Sequence, residues 1–234
     1  MIKISIASLI VEIDNKYEYI EKLTLDYRCE GEADFSVSAD EADFLSEEKT
    51  AADGCPRPYL ESIIIHRKIA ERLPEYDAFV FHGAVMATSD GAYILTAPSG
   101  TGKTTHLRLW LSEFDDVKVI NGDKPIIRII GDKPIVFGTP WRGKEGYGTN
   151  SSAPLRAITF LERGKENRTE PISVEAASLL FFRQVYMPEE QAALVKTMSV
   201  AKEVIGRVSR LRLECNMLPD AARISRAALE KLIK

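Results

Sequence analysis

The chain has few cysteines and no long apolar run, which argues against a disulfide-rich protein and against a membrane-spanning one. Three cysteines stand among 234 residues without the paired spacing of a zinc site, so we expect neither a disulfide framework nor a structural zinc ion. No apolar stretch approaches the roughly 20 residues of a membrane-spanning helix. The alternating pattern of residues 2–6 favours a first strand over a signal peptide. We therefore predict a cytoplasmic protein without a membrane partner.

The chain also lacks an excess of positive charge. Its formal net charge is −4, which gives a nucleic-acid partner no electrostatic support. A hydrophobic content of 45% is ordinary for a globular protein that buries a sizeable core. No internal repeat, low-complexity tract or clear linker divides the sequence. We predict a single domain over residues 1–234, with a β-rich portion (1–75) packed on a core and its C-terminal helices (76–234).

Residues 94–105 have the layout of a phosphate-binding P-loop. An apolar, β-branched run leads into a turn of small residues, and a helical pattern begins at Lys103. Ala97 stands where the usual G-x-x-x-x-G-K-[ST] pattern has its first glycine, and alanine is tolerated there while its φ stays negative. The alternative is a glycine-containing loop before an unrelated helix. The pattern predicts a nucleotide site formed by Ser99, Gly100, Thr101, Gly102, Lys103, Thr104 and Thr105.

Each part of this motif has a chemical role in binding ATP together with Mg²⁺. Gly100 and Gly102 allow several backbone N–H groups to converge on a phosphate, and the start of the helix adds free N–H groups and the positive end of its dipole. Lys103 would lie against the β- and γ-phosphates, and the Thr104 hydroxyl would bind Mg²⁺. ATP and Mg²⁺ are therefore the predicted cofactors.

A second metal ligand is expected at the end of a neighbouring buried strand. Asp123 fits this position, because it follows the apolar residues 117–120 and an Asn-Gly pair, 20 residues beyond Lys103. That interval accommodates one helix and one returning strand. The alternative is that Asp123 simply belongs to a turn. We predict that Thr104 and Asp123 hold the metal.

The order of strand and helix patterns predicts an α/β fold. Ser89-Asp90-Gly91 is a hairpin signal directly before the P-loop strand, so a tight turn and not a crossover helix joins that strand to its predecessor. We therefore predict a mixed, twisted sheet flanked by helices. Strands are expected at residues 2–6, 10–13, 23–27, 35–38, 78–87, 92–96, 117–120, 125–130, 134–137, 155–161 and 210–213, and helices at 58–73, 104–114, 173–182, 188–208 and 219–233.

Two motifs carry a resemblance to known families. Residues 99–105 closely resemble the P-loop of ATP-dependent phosphoenolpyruvate carboxykinases, and Ile120-Asn121-Gly122-Asp123 resembles the acidic motif that follows it there. The surrounding layout is more similar to the catalytic domain of HPr kinase/phosphorylase. That family has a His-Gly pair one hairpin upstream, like His82-Gly83, and a glycine-rich loop with an Arg-Gly pair before a strand, like Arg142-Gly143. The resemblance covers roughly residues 79–165.

The resemblance implies a phosphoenolpyruvate-carboxykinase-like nucleotide-binding fold and ATP-dependent phosphoryl transfer to a hydroxyl group. HPr kinases phosphorylate a serine of a small carrier protein. By the resemblance, Asp123 and His82 are candidate catalytic residues, and Arg142, Lys144 and Glu145 would act on the acceptor side. The acceptor stays open between a small protein, a peptide and a hydroxylated metabolite. A homo-oligomer is compatible with the resemblance.

The sequence departs from the carrier-protein kinases at the acidic motif, where Asp123 stands alone between a glycine and a lysine. The missing second carboxylate favours an alternative, a non-catalytic ATP-binding sensor or scaffold module. A decarboxylating carboxykinase is disfavoured by the short chain. For His82 the alternative is a packed core residue, and for Arg142, Lys144 and Glu145 a solvated loop. Trp141 is expected to pack the loop down, and Arg163 to lie in a solvated turn.

Overall fold

The structure, a computed structural model, describes residues 1–232. Its strands are β1 (Ile2–Ile6), β2 (Leu9–Asp14), β3 (Phe35–Ser38), β4 (Ala78–Val80), β5 (Ala84–Thr88), β6 (Gly91–Thr96), β7 (Lys118–Asn121), β8 (Ile126–Ile130), β9 (Lys133–Phe137), β10 (Ser152–Arg163), β11 (Arg168–Pro171) and β12 (Ser209–Cys215). Its α-helices are α1 (Glu18–Leu23), α2 (Glu41–Glu48), α3 (Arg57–Arg72), α4 (Lys103–Glu113), α5 (Val174–Phe182), α6 (Gln191–Arg207) and α7 (Asp220–Leu232). The prediction for residue 233 lies outside the described residues.

The N-terminal portion contains a small sheet in the order β1-β2-β3, with β1 and β2 antiparallel and β2 and β3 parallel. The predicted strand at residues 23–27 is wrong. Leu23 ends α1, and Leu25–Tyr27 forms a 3-10 turn in which Tyr27 is buried while Leu25 is 69% exposed. With α2 and α3 as well, the β-rich description of residues 1–75 applies only to residues 1–14 and 35–38.

Local capping explains where several helices begin. The side chain of Asp40 accepts the backbone N–H of Asp43, and the Asp43 side chain accepts that of Asp40, which forms a reciprocal capping box for α2. The hydroxyl of Ser173 accepts the Ala176 N–H at the start of α5. Each such cap stabilises its helix by about 1 kcal/mol. The predicted helix at residues 173–182 is confirmed.

The large sheet has nine strands and is mixed and curled. The long strand β10 belongs to both of its parts. Its first residues pair antiparallel with β9, which continues to β8 and β4, and its later residues lie parallel between β6 and β12. The hairpin of β5 and β6 and that of β8 and β9 are confirmed. The mixed α/β class predicted from the sequence is observed.

Helices cover both faces of this sheet. Alternate side chains of β10 point in opposite directions, so that Ile158 and Phe160 pack towards α5 and α6, whereas Ala157 and Leu161 pack with α4 and α7. The small N-terminal sheet and α3 share a third core with Ala78 of the large sheet. In the part of the chain that the structure describes, no helix is long and apolar enough to cross a membrane.

Two histidines are held neutral by burial, and both are expected to make stability depend on pH. Burial lowers the pKa of His106, which contacts the Ser225 hydroxyl at 3.1 Å, to about 4. Burial, reinforced by the charge of Lys124, lowers the pKa of His66 to about 3. In the unfolded chain both titrate near pH 6.5, so the unfolded state takes up protons that the folded state does not.

Stability is therefore expected to be full above about pH 6.5 and to fall as the pH drops towards the folded pKa values. Between pH 7 and 5 each histidine should lower the free energy of unfolding by roughly 1–2 kcal/mol. Urea unfolding at several pH values measures this slope. His106→Gln should reduce the pH dependence of the free energy of unfolding, even where the variant is less stable overall. The same pH dependence in that variant and in the wild type would contradict the expectation.

Candidate functional site

The candidate site lies at one edge of the large sheet, where β5, β6 and β7 meet. β5 pairs antiparallel with both of its neighbours, so it begins at the edge where β6 and β7 end. The predicted P-loop follows β6, Asp123 follows β7, and His82 precedes β5. This topology places the predicted P-loop, Asp123 and His82 at the same edge of the sheet.

The P-loop adopts the backbone that its glycines permit. Gly100 has a φ of 78° and Gly102 one of 126°, a region in which other residues are strained. Ala97 has no positive φ and is buried beside α4, so the alanine replaces the usual glycine without backbone strain. The predicted helix begins directly after Gly102. Ser99, Lys103, Thr104 and Thr105 all line the same cleft.

Lys103 folds back onto its own loop. Its Nζ donates to the carbonyl of Ala97 at 2.8 Å and lies 3.4 Å from that of Pro98. Burial lowers the pKa of Lys103, with Asp123 opposing the effect and Lys124 adding to it. A phosphate oxygen is a stronger partner for an ammonium group than a neutral carbonyl. The amine is therefore placed to exchange these carbonyls for a phosphate.

Arg163 does not lie in a solvated turn as predicted. It is at the end of β10, and its guanidinium donates to the carbonyl of Gly100 and, at 3.2 Å, to that of Thr101. Two P-loop carbonyls thus point towards Arg163. This contact holds the outer part of the loop from the side of β10.

His82 is fixed by its backbone and by its ring. Its N–H donates to the carbonyl of Gln184 at 2.8 Å, and its carbonyl accepts the Thr96 hydroxyl at 2.9 Å. The Nδ1 atom lies 2.9 Å from Oε1 of Gln184, and Nε2 lies 3.4 Å from Oδ1 of Asp123. The side chain is partly exposed, at 25%. His82 is therefore held at the wall of the cleft with Nε2 directed at the carboxylate of Asp123.

Asp123 is held by the turn in which it lies. The side-chain oxygen of Asn121 accepts the backbone N–H groups of Asp123 and Lys124, both at 2.8 Å, and its amide donates to Thr139. A Cβ at Gly143 would come within 2.9 Å of the Asp123 Cβ, so the neighbouring loop needs a glycine there. The turn predicted at Asn121–Asp123 is observed, and the residue proposed as a metal ligand lies in this turn.

The charges around Asp123 keep its carboxyl group ionised. Burial acts to raise its pKa, but His82, Lys124 and Lys103 together outweigh burial, and the pKa lies below its ordinary value. The carboxylate is 34% exposed. An ionised carboxylate that reaches the cleft can bind a cation or accept a hydrogen bond from a hydroxyl group.

The loop after β9 places Arg142, Lys144 and Glu145 along the same cleft, but two of them are engaged elsewhere. Arg142 donates to Asp26 at 2.9 Å, with its guanidinium over the ring of Tyr27. Glu145 pairs with Arg108 of α4. Lys144 is exposed. Among these three, Lys144 is the side chain without such an ion pair in the described residues.

Trp141 is expected to pack the loop down, and in the structure its packing partners lie in the N-terminal portion. Its indole N–H donates to the Ser62 carbonyl at 3.0 Å, and its ring lies 4.7 Å from that of His66. Tyr19 and Tyr59 stand on the same side of the cleft with their rings edge to face, 6.1 Å apart. One wall of the cleft is thus the P-loop edge, and the opposite wall is built from α1, the 3-10 turn and α3.

The cleft between these walls has a volume of about 1210 Å³. Sites for a single small molecule typically occupy about 300–1,000 Å³. The cleft is therefore large enough for a nucleotide and part of a second molecule. Tyr19, Leu25 and Tyr59 are 40%, 69% and 45% exposed, so the wall of α1, the 3-10 turn and α3 presents these large side chains to solvent.

The donors in the cleft suit a magnesium ion that arrives with a nucleotide better than a resident metal. Within residues 1–232, no three His, Cys, Asp or Glu side chains form a group that could hold a metal ion. Mg²⁺ is usually bound through one or two carboxylates together with substrate phosphates. Asp123 and the hydroxyl of Thr104 fit such a shared site.

Comparisons with known proteins give a distant likeness only. No family model matches the chain, and no curated protein matches it. Among solved structures, the chain is similar to the HPr(Ser) kinase/phosphatase from Coxiella burnetii, with 12% sequence identity and a TM-score of 0.33. The match covers 64% of this chain and 98% of that chain.

Sequence analysis does not single out Gln184 or Asp26, and it assigns Arg163 to a solvated turn. Gln184, Arg163 and Asp26 reach the site from positions 102, 63 and 116 residues away from their respective partners His82, Gly100 and Arg142. Such separations leave no local pattern. His66 had one weak signal, since it lies on the predicted helix α3, but nothing in the sequence placed that helix beside the cleft.

Proposed function

We propose that this protein is an ATP-dependent phosphotransferase that transfers the γ-phosphate of ATP to a hydroxyl acceptor, in a manner resembling HPr serine kinases. The observation that carries the proposal is the position of His82 and Asp123 beside the P-loop at one sheet edge. Phosphoryl transfer requires a bound triphosphate, a metal ligand and an acceptor of the hydroxyl proton in one place. The proposal includes a phosphoenolpyruvate-carboxykinase-like nucleotide-binding fold.

In this proposal the phosphate half of the cleft is formed by residues 99–105. The loop amides and Lys103 bind the β- and γ-phosphates, while Thr104 and Asp123 hold Mg²⁺, which neutralises charge on the phosphates. The acceptor oxygen forms a bond to the γ-phosphorus as the bond to the β–γ bridging oxygen breaks. ADP leaves, and the hydroxyl proton passes to the pair formed by His82 and Asp123.

The acceptor half of the cleft is the wall of α1, the 3-10 turn and α3. This wall includes Tyr19 and Tyr59, and it adjoins Trp141, Arg142 and Lys144 of the loop after β9. Positive side chains near the transferred phosphoryl group stabilise its developing charge. The portion before residue 76 thereby becomes part of the same functional unit, and the acceptor can be a small protein, a peptide or a hydroxylated metabolite.

A single-turnover assay tests the proposal. Purified protein is mixed with Mg²⁺ and ATP labelled at the γ-phosphate, in the presence of serine-containing peptides, hydroxylated metabolites or water alone. We expect label to leave ATP and to appear on an acceptor or as inorganic phosphate. Tight ATP binding by calorimetry while all label stays in ATP would reject catalysis.

That last outcome would support a second candidate, a sensor or scaffold module that binds ATP without turnover. The observation that favours it is the single carboxylate at the phosphate edge, because the neighbours of Asp123 in the motif are a glycine and Lys124. In that case ATP should change the thermal stability of the protein in proportion to its binding, and Asp123→Asn should alter only the Mg²⁺ dependence.

A further inference from the structure

Arg163 bonds to the backbone of the predicted P-loop from a strand outside the loop. It stands at the end of β10, and its guanidinium donates through Nε to the carbonyl of Thr101 at 3.2 Å and through Nη2 to that of Gly100. A charged donor makes a stronger hydrogen bond than a neutral one. One side chain therefore holds two successive carbonyls of the loop.

The tip of this loop has little side-chain packing to hold it. Gly100 and Gly102 have φ values of 78° and 126°, which glycine adopts without strain but with a large loss of conformational freedom. A Cβ added at either position would meet no atom of the described residues within 4 Å, its chain neighbours aside. Ser99 and Gly100 are exposed. The two bonds from Arg163 therefore tie a pliable segment to the rest of the fold.

A bond to a carbonyl also fixes the N–H group of the same peptide unit. The described residues contain no cis peptide bond, and in a trans peptide the C=O and N–H groups point in opposite directions. The carbonyl of Thr101 shares its peptide unit with the N–H of Gly102, the residue directly before α4. Because that carbonyl points at Arg163, the Gly102 N–H points away from it. Gly100 and Gly102 both line the cleft.

The bonds of Arg163 are separate from those that a phosphate would replace. Lys103 holds the carbonyls of Ala97 and Pro98, and a phosphate oxygen is a stronger partner for its ammonium group. Arg163 holds the next two carbonyls along the loop that follow Ser99. A phosphate that draws Lys103 away therefore leaves the contacts of Arg163 in place.

We propose that Arg163 is a positioning residue that holds the backbone of residues 100–102 so that the N–H of Gly102 is aligned for a phosphate oxygen of the nucleotide. It acts through the loop and does not touch the reacting atoms. The nucleotide as ligand rests on the proposed phosphotransferase function, whereas the ordering of the loop by Arg163 does not. The two are therefore tested separately.

The first test is ¹⁵N relaxation of the full chain without nucleotide. Arg163→Met removes both donors, so the backbone order parameter of Gly102 should fall from the rigid range near 0.85 to below about 0.6. Arg156→Met is the matched control, because Arg156 is an exposed arginine of β10 that donates to the carbonyl of Asp90 at 2.7 Å and does not line the cleft. It should leave Gly102 unchanged. An equal order parameter in wild type and Arg163→Met would overturn the proposal.

The second test is calorimetry with Mg²⁺ and inorganic tripolyphosphate, which has the phosphates of ATP without the base and the sugar. Arg163→Met should raise the Kd roughly 3- to 30-fold, and Arg156→Met should not change it. Arg163→Lys keeps the charge but lacks the fork that reaches both carbonyls, so it should recover only part of the loss.

Two results would overturn the positioning role. One is wild-type affinity for tripolyphosphate in Arg163→Met, and the other is full recovery in Arg163→Lys, because charge alone would then suffice. If the wild type binds neither tripolyphosphate nor ATP while Gly102 loses order in Arg163→Met, the proposed function fails and the role of Arg163 in ordering the loop stands.

Discussion

Replacing Lys103 with alanine is expected to weaken the binding of Mg-ATP by roughly 10- to 100-fold and to abolish measurable turnover. A hydrogen bond to a charged group contributes about 1.5–3 kcal/mol, and the loss of such a bond to phosphate gives a change in Kd of this size. The Nζ atom of Lys103 now bonds to the carbonyls of Ala97 and Pro98, which a bound phosphate would replace. Isothermal titration calorimetry with a non-hydrolysable ATP analogue measures the change.

Lys202→Ala is the matched control, because Lys202 is an exposed lysine of α6 that does not line the cleft. It removes the same charge and should leave the affinity unchanged. The melting temperature of each variant without nucleotide should also be compared with that of the wild type. Equal ATP affinity in wild type and Lys103→Ala would show that this loop does not bind the nucleotide, and it would contradict the proposed function.

Asp123→Asn should lower turnover by about 100- to 10,000-fold with a smaller effect on ATP affinity. The carboxylate is proposed to bind Mg²⁺ and, with His82, to take the hydroxyl proton, and a neutral amide does neither well. Because Asn121 holds the backbone of residue 123, the amide should keep the same position. Single-turnover transfer of label from γ-labelled ATP separates the chemical step from binding.

The control for this change is Asp115→Asn, which removes a carboxylate from an exposed position before β7. It should turn over ATP at the wild-type rate. Raising the Mg²⁺ concentration should partly restore Asp123→Asn if metal binding contributes most of the effect. Wild-type turnover in Asp123→Asn would contradict the proposed roles of Asp123 in binding Mg²⁺ and in accepting the hydroxyl proton.

The parts of the fold that could be predicted are those that short stretches of sequence determine. The glycine-containing turn after β6, the helix that follows it and the preceding hairpin depend on glycine positions and on apolar alternation within about 30 residues, and all three are observed. Asp123 is predicted from the sequence because it follows an apolar strand pattern and because the 20 residues after Lys103 accommodate one helix and one returning strand. Its position beside His82 follows from β5 lying between β6 and β7.

Two kinds of feature could not be predicted. The alternation of residues 23–27 predicts a strand, but Tyr27 packs inwards from a 3-10 turn while Leu25 faces solvent. Over five residues, a period of two does not distinguish a strand from a helix followed by such a turn. The contacts of Gln184 and Arg163 join distant segments through the packing of α5 and β10, and no local pattern records them. Site residues that lie far apart in the chain can be identified only from the three-dimensional structure.

The two walls of the cleft come from chain segments that do not overlap, and this allows them to diverge separately. Substitutions at Tyr19 or Tyr59 would reshape one wall without altering the phosphate-binding loop on the other. Under the proposed function, such substitutions would change the acceptor and leave the nucleotide chemistry intact. The ion pair between Asp26 and Arg142 joins the 3-10 turn to the loop after β9, so a substitution at either residue alters the contact between these two segments.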